Sequence, residues 1–86
     1  MARVLEFASG VRQMLPVLGL DPAAQGELAD AVDQVRTEAG TPQPDSGRLR
    51  QVVKRLLDGL NQAAPTVAKT MLIAAGEAAQ KAITGG

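Results

Sequence analysis

Five prolines cut the chain into four stretches, each short enough to form a single helix. Pro16 closes an apolar-periodic run, Pro22 stands directly after an aspartate, Pro42 and Pro44 share one turn, and Pro65 precedes the last segment. Proline lacks the backbone N–H and its ring clashes with the turn before it. Each therefore marks a helix boundary or a first helical position.

The stretches between the prolines follow helical spacing. From Ala2 to about Leu15, the residues Val4, Phe7, Ala8, Val11, Met14 and Leu15 recur at intervals of three and four, which predicts one buried face. Arg3, Glu6, Arg12 and Gln13 fall elsewhere, and Gly10 weakens the helix by roughly 1 kcal/mol relative to alanine. Pro16 to Leu20 is an apolar connector, expected to fold back beneath the helices. Asp21 then reads as an N-cap with Pro22 at the first helical position. Leu28, Ala31, Val32, Val35 and Ala39 form the buried stripe of residues 22–39, and Gly40 is the expected stop.

After the stiff turn Thr41-Pro42-Gln43-Pro44, Asp45 or Ser46 caps a third helix over 46–62. Its stripe is Leu49, Val52, Val53, Leu56, Leu57 and Leu60. The pattern weakens over Asn61 to Ala64, and Pro65 either kinks the helix or opens a fourth over 65–83. The expectation is one all-α domain over 1–86. It is a small bundle of three to four helices with an antiparallel hairpin and an Ala-rich C-terminal helix.

That hairpin carries segregated charge. Asp21, Glu27, Asp30, Asp33 and Glu38 against Arg36 leave its first helix at net −4, while Arg48, Arg50, Lys54 and Arg55 against Asp58 leave the second at net +3. Glu27, Asp30 and Asp33 are expected to face Arg48, Lys54 and Arg55, each exposed pair contributing ~0.2–1 kcal/mol. The other reading is that one charged face docks a partner of opposite sign. Nucleic acid is not expected, because the basic helix has no aromatic interleaving and sits beside an acidic neighbour.

Composition narrows the chemistry. The chain has no cysteine and no histidine, so disulfides, thiolate metal sites and Ser/His/Asp or Cys/His constellations are excluded. Asp30 and Asp33 share a helix face but read as solvated surface, and Gly10, Gly19 and Gly26 match no phosphate-binding loop. The expectation is a non-enzymatic protein with no catalytic residues, cofactor or metal. The absence of cysteine fits a cytoplasmic location, and Arg3 and Glu6 interrupt any secretory pattern at the N-terminus.

The last segment is the least ordinary. On a helix, Thr66, Lys69, Thr70, Glu77, Gln80, Lys81 and Thr84 form a polar stripe with Ile73 in its middle, and the remaining surface is apolar and mostly small. An 86-residue chain buries only about 60–65% of its unfolded surface, and Phe7 is its one aromatic. Either this helix is the centre of the monomer, or a second copy or another protein covers it. The exposed Ile73 favours a partner, with Val67, Met71, Leu72, Ile73, Ala75, Gly76 and Ala79 as the contact residues and a homo-oligomer as the expected state. Ala75→Leu is then expected to disrupt a close helix contact. A membrane-spanning helix is not expected, because Glu77 deep in the segment costs ~2.5–3.5 kcal/mol at mid-bilayer. Lying on a membrane surface is the alternative role, but Lys/Arg-rich edges and aromatic anchors are missing.

Three resemblances bear on function. Asp45-Ser46 opening a helix resembles acyl carrier proteins, where the serine of an Asp-Ser-Leu motif bears a phosphopantetheine arm; here Gly47 replaces the leucine and the helix is basic, not acidic. That resemblance implies a carrier modified at Ser46. Gly85-Gly86 resembles ubiquitin-like conjugation tails, although those belong to β-rich folds, and a helix stop or frayed end is the plainer expectation. From Leu20 to Ile83, the order of acidic helix, Pro-containing turn, Arg-rich helix and Ala/Gly-rich helix resembles small helical modules that recur in actinobacterial proteins, often appended to effector or conflict-system domains. That resemblance implies an adaptor or assembly role.

Overall fold

The computed structural model describes residues 2–84, and Gly85-Gly86 lie outside them. Four α-helices run α1 Ala2–Met14, α2 Pro22–Ala39, α3 Ser46–Leu60 and α4 Val67–Thr84, with a 3₁₀ turn over Leu15–Val17. Each helix packs on its neighbours in chain order, and α4 returns to α1. Side-chain levels show that all neighbours are antiparallel. Arg12 and Leu15 meet Asp33 and Gln25 at the α1–α2 seam, and Glu38 and Gln34 of α2 meet Arg48 and Arg55 of α3. Gln80 and Lys69 of α4 reach the carbonyls of Arg50 and Asn61, and Gly10 and Phe7 of α1 approach Leu72 and Gly76 of α4. The result is an up-down-up-down four-helix bundle. Its radius of gyration, 11.9 Å, matches the roughly 12 Å expected of a closed domain of this length.

Capping follows the expected punctuation. The Asp21 carboxylate accepts from the Ala24 N–H at 2.8 Å with Pro22 behind it, and the Asp45 carboxylate accepts from the Arg48 N–H at 3.1 Å. Asp45 is therefore the cap of α3 and Ser46 its first residue. Pro65 opens the fourth helix without kinking the third: the Thr66 hydroxyl accepts from the Lys69 N–H at 3.3 Å. Gly40 closes α2 in right-handed geometry, φ −82°, with its N–H donating to the Arg36 carbonyl; the left-handed stop does not form.

The one left-handed residue among those described is Gly19, at φ +69° in the connector. There the chain reverses, and the Leu18 carbonyl accepts from the Ala64 N–H at 2.9 Å, tying the first connector to the third. Leu18 is fully buried beneath it, while Val17 projects outward. A Cβ at Gly19 would lie 3.1 Å from the Ala64 Cβ. Gly19→Ala is expected to destabilise the fold by about 1–2 kcal/mol, since an L-residue pays that in left-handed geometry. A urea titration should show a lower midpoint with an unchanged slope.

The core is entirely apolar among the described residues. Phe7, Leu18, Leu49, Leu56 and Leu60 are its largest buried members, with valines from α1, α2 and α3 between them. Met14, expected on the buried face of α1, instead lies partly in solvent, because α1 ends there and the 3₁₀ turn rotates the following residues. α3 ends at Leu60, two residues before the expected boundary, and α4 begins at Val67. Lys69 of α4 donates to the Asn61 and Ala63 carbonyls at 3.0 and 3.2 Å, so one cation satisfies carbonyls of the turn that follows α3.

Candidate interaction surface

α4 has two apolar faces, and they do different things. The inner face is Leu72, Gly76 and Ala79: Leu72 is 7% exposed, and the other two are buried within a single copy. At Gly76 α4 comes close to both α3 and α1. A Cβ there would lie 2.5 Å from the Leu57 Cδ2 and 2.8 Å from the Phe7 Cζ. Gly10 of α1 answers from the other side, its Cβ position 3.1 Å from the Leu72 Cδ2. The glycine that costs α1 helix propensity thus permits its contact with α4.

Three residues expected to meet a partner therefore belong to the monomer: Leu72, Gly76 and Ala79. Ile73, expected to stand exposed in the polar stripe, is half-buried against the core. Its side of α4 is the side from which Gln80 and Lys69 reach α3, so the polar residues there bridge to a neighbouring helix and the isoleucine packs between them. Ala75 is exposed, so the close contact expected at Ala75 is found at Gly76.

The outer face is Val67, Met71, Ala74, Ala75, Ala78 and Ala82, spaced by three and four along α4. Val67 is 75% and Met71 66% exposed, and all the alanines but the partly covered Ala78 are exposed as well. Ala74, Ala78 and Ala82 also line an open groove of about 510 Å³, bordered by Arg3 of α1 and by Glu77 and Lys81. Large side chains project at one end of this face, where Val67 and Met71 also border a second open groove of about 450 Å³, and only alanines stand on the apolar side of the groove at the other end. Of the expected contact residues, Val67, Met71 and Ala75 lie on this face; Ala74, Ala78 and Ala82 join them here.

The hairpin charges are arranged differently from expectation. Among the described residues there are two ion pairs, Arg12–Asp33 at 3.0 Å and Arg48–Glu38 at 3.3 Å. Only Arg48 of the expected set joins α2 to α3 by an ion pair, and its partner is Glu38. Asp33 turns to α1, and Arg55 donates to the Gln34 side-chain oxygen at 3.3 Å. Glu27, Asp30 and Lys54 are exposed and join no ion pair among the described residues. The α2–α3 register, with Gln34 at Arg55 and Leu28 at Gly59, sets Asp30 and Lys54 at different levels.

Glu38 is the residue that net charge concealed. Its carboxylate accepts from the Asp45 N–H at 3.1 Å as well as from Arg48, and its carbonyl accepts from the Thr41 hydroxyl at 2.8 Å. It ties the end of α2 to the cap of α3 across the proline turn. Glu38→Ala is expected to cost about 1 kcal/mol, the usual contribution of such a hydrogen bond, and to loosen the turn before the helices. Amide exchange at Asp45 and Arg48 should accelerate ahead of the core.

Ser46 stands exposed at the start of α3. Among the described residues no helix is long and apolar enough to cross a membrane, and among those same residues no group of three or more carboxylates is placed to hold a metal ion. The protein is thus a four-helix bundle with one unpartnered apolar helix face. Comparison with protein families, with curated proteins and with solved structures finds no match.

Proposed function

We propose that this chain is a non-enzymatic protein–protein interaction or self-assembly module whose working surface is the outer face of α4. The observation that carries this reading is the pairing of Val67 and Met71, both largely in solvent, with a run of exposed alanines on the same face. Scattered exposed apolar residues are ordinary, but a contiguous stripe along a whole helix characterises a contact surface. The inner face already completes the core, so the outer stripe is not required for folding.

The similarity in helix order to small modules appended to effector and conflict-system domains adds an adaptor role to this reading. A cytoplasmic location fits the cysteine-free composition. The test is site-specific photo-cross-linking in the source cells. A photoreactive residue at position 71 should give a discrete protein adduct, and one at position 54 on α3 should not. Equal, diffuse labelling from both positions would contradict the reading.

A further inference from the structure

We infer that the occupant of the outer α4 face is a second copy of the same chain, packed antiparallel about a two-fold axis between Ala74 and Ala75; this rests on the interaction reading above. The face is self-complementary in one register. Its N-terminal end presents Val67 and Met71 as projections, and its C-terminal end presents Ala78 and Ala82 beside the 510 Å³ groove. An antiparallel copy sets Met71 against the partner's Ala78 and Val67 against the partner's Ala82, and the two-fold repeats both contacts. A closed two-fold interface needs this kind of surface, in which one patch fits itself. Alanines at the centre let the helix backbones approach closely.

Charge permits the pairing. The rim holds Arg3 and Lys81 against Glu77, a net of one positive charge on an exposed edge, so repulsion between copies is weak and screened by salt. In this register Glu77 and Lys81 lie beside the partner's threonines, Thr66 and Thr70, and no like charges stand opposite. The area suffices for a modest dimer. α4 has 18 residues and is therefore about 27 Å long; with α1 beside it the face is roughly 20 Å wide. Two copies hide on the order of 1,000 Å² in total, the lower end of specific interfaces, so the dimer is weak and concentration-dependent. A membrane surface fits less well, since neither edge of the face is rich in lysine and arginine and no aromatic anchor lies on it.

The test is sedimentation equilibrium from ~1 µM to ~1 mM, read by interference because the chain has no Trp or Tyr. The wild type should pass from monomer to dimer. Met71→Ala leaves two hollows unfilled and Ala78→Met sets two methionines against each other, so each should weaken the dimer about tenfold or more. The double variant, with both changes, exchanges projection and hollow and should recover most of the association. Dilute melting curves should be unchanged in all three variants, which separates loss of association from loss of fold. A chain that stays monomeric throughout, or a double variant no better than the singles, overturns the two-fold dimer. If the dimer fails while the position-71 cross-link still captures a different protein, the interaction reading stands and only the second copy is wrong.

Discussion

Phe7→Ala should remove a large share of the stability of this protein. Phe7 is the one aromatic side chain, it is 1% exposed, and its ring lies against the Gly76 backbone where α1 meets α4. Truncating a buried phenylalanine typically costs about 3–5 kcal/mol, as lost transfer energy plus the cavity left behind. A domain of 86 residues has roughly 4–13 kcal/mol in total. The expected fall in Tm is about 12–40 °C for a chain in this size range. No second aromatic can swing into the space. Far-UV circular dichroism on heating measures the change; a loss under 1 kcal/mol would mean that the α1–α4 contact is not the one described.

Gly76→Leu is the second large effect, and its sign separates the two faces of α4. Replacing glycine in a helix ordinarily stabilises it by about 0.5–1 kcal/mol. Here the first added carbon already falls within 3 Å of both Leu57 and the Phe7 ring. The leucine atom is the end of a flexible side chain and can turn aside. The ring is fully enclosed and cannot. Overpacking costs about 1–3 kcal/mol for modest insertions, and a whole leucine side chain should exceed that range. Ala75→Leu, one position earlier on the exposed face, should leave the dilute melting temperature nearly unchanged. Urea titration of the two variants makes the comparison. A Gly76→Leu variant as stable as Ala75→Leu would place the helix in a different rotation.

The pairing of these variants shows what sequence could and could not reveal. Asp21-Pro22, Asp45 and the proline turns located the helices to within a few residues, because capping and proline chemistry are local. The stripes of α2 and α3 were equally legible, since large aliphatic residues alternate there with charge. α4 was not. Its apolar arc is so wide that periodicity leaves the rotation undetermined, and a change of one residue, from Ala75 to Gly76, swings the close contact by more than a quarter turn. Gly76 could have been suspected as the only residue in the segment without a side chain, but nothing local tied it to Phe7, some seventy positions away.

The charges divide in the same way. The short proline turn between two oppositely charged helices implied an antiparallel hairpin, and α2 and α3 pack as one. Which carboxylate meets which guanidinium depends on rotation and on the turn, and the turn chose Glu38. Ile73 shows the converse: polar neighbours suggested exposure, but Lys69 and Gln80 are polar because they bridge to backbone carbonyls of the α3 segment, and the isoleucine between them packs on that same side.

The most direct test is methyl NMR with a soluble paramagnetic agent, recorded across protein concentration. In dilute solution the methyls of Val67, Met71, Ala78 and Ala82 should be strongly broadened while those of Leu72 and Ala79 are shielded. As concentration rises, the first group should gain protection and the second should not change. Broadening of Leu72 and Ala79 equal to that of Met71, or exposure of Met71 that no concentration reduces, would contradict a helix that is sealed on one side and paired with its copy on the other.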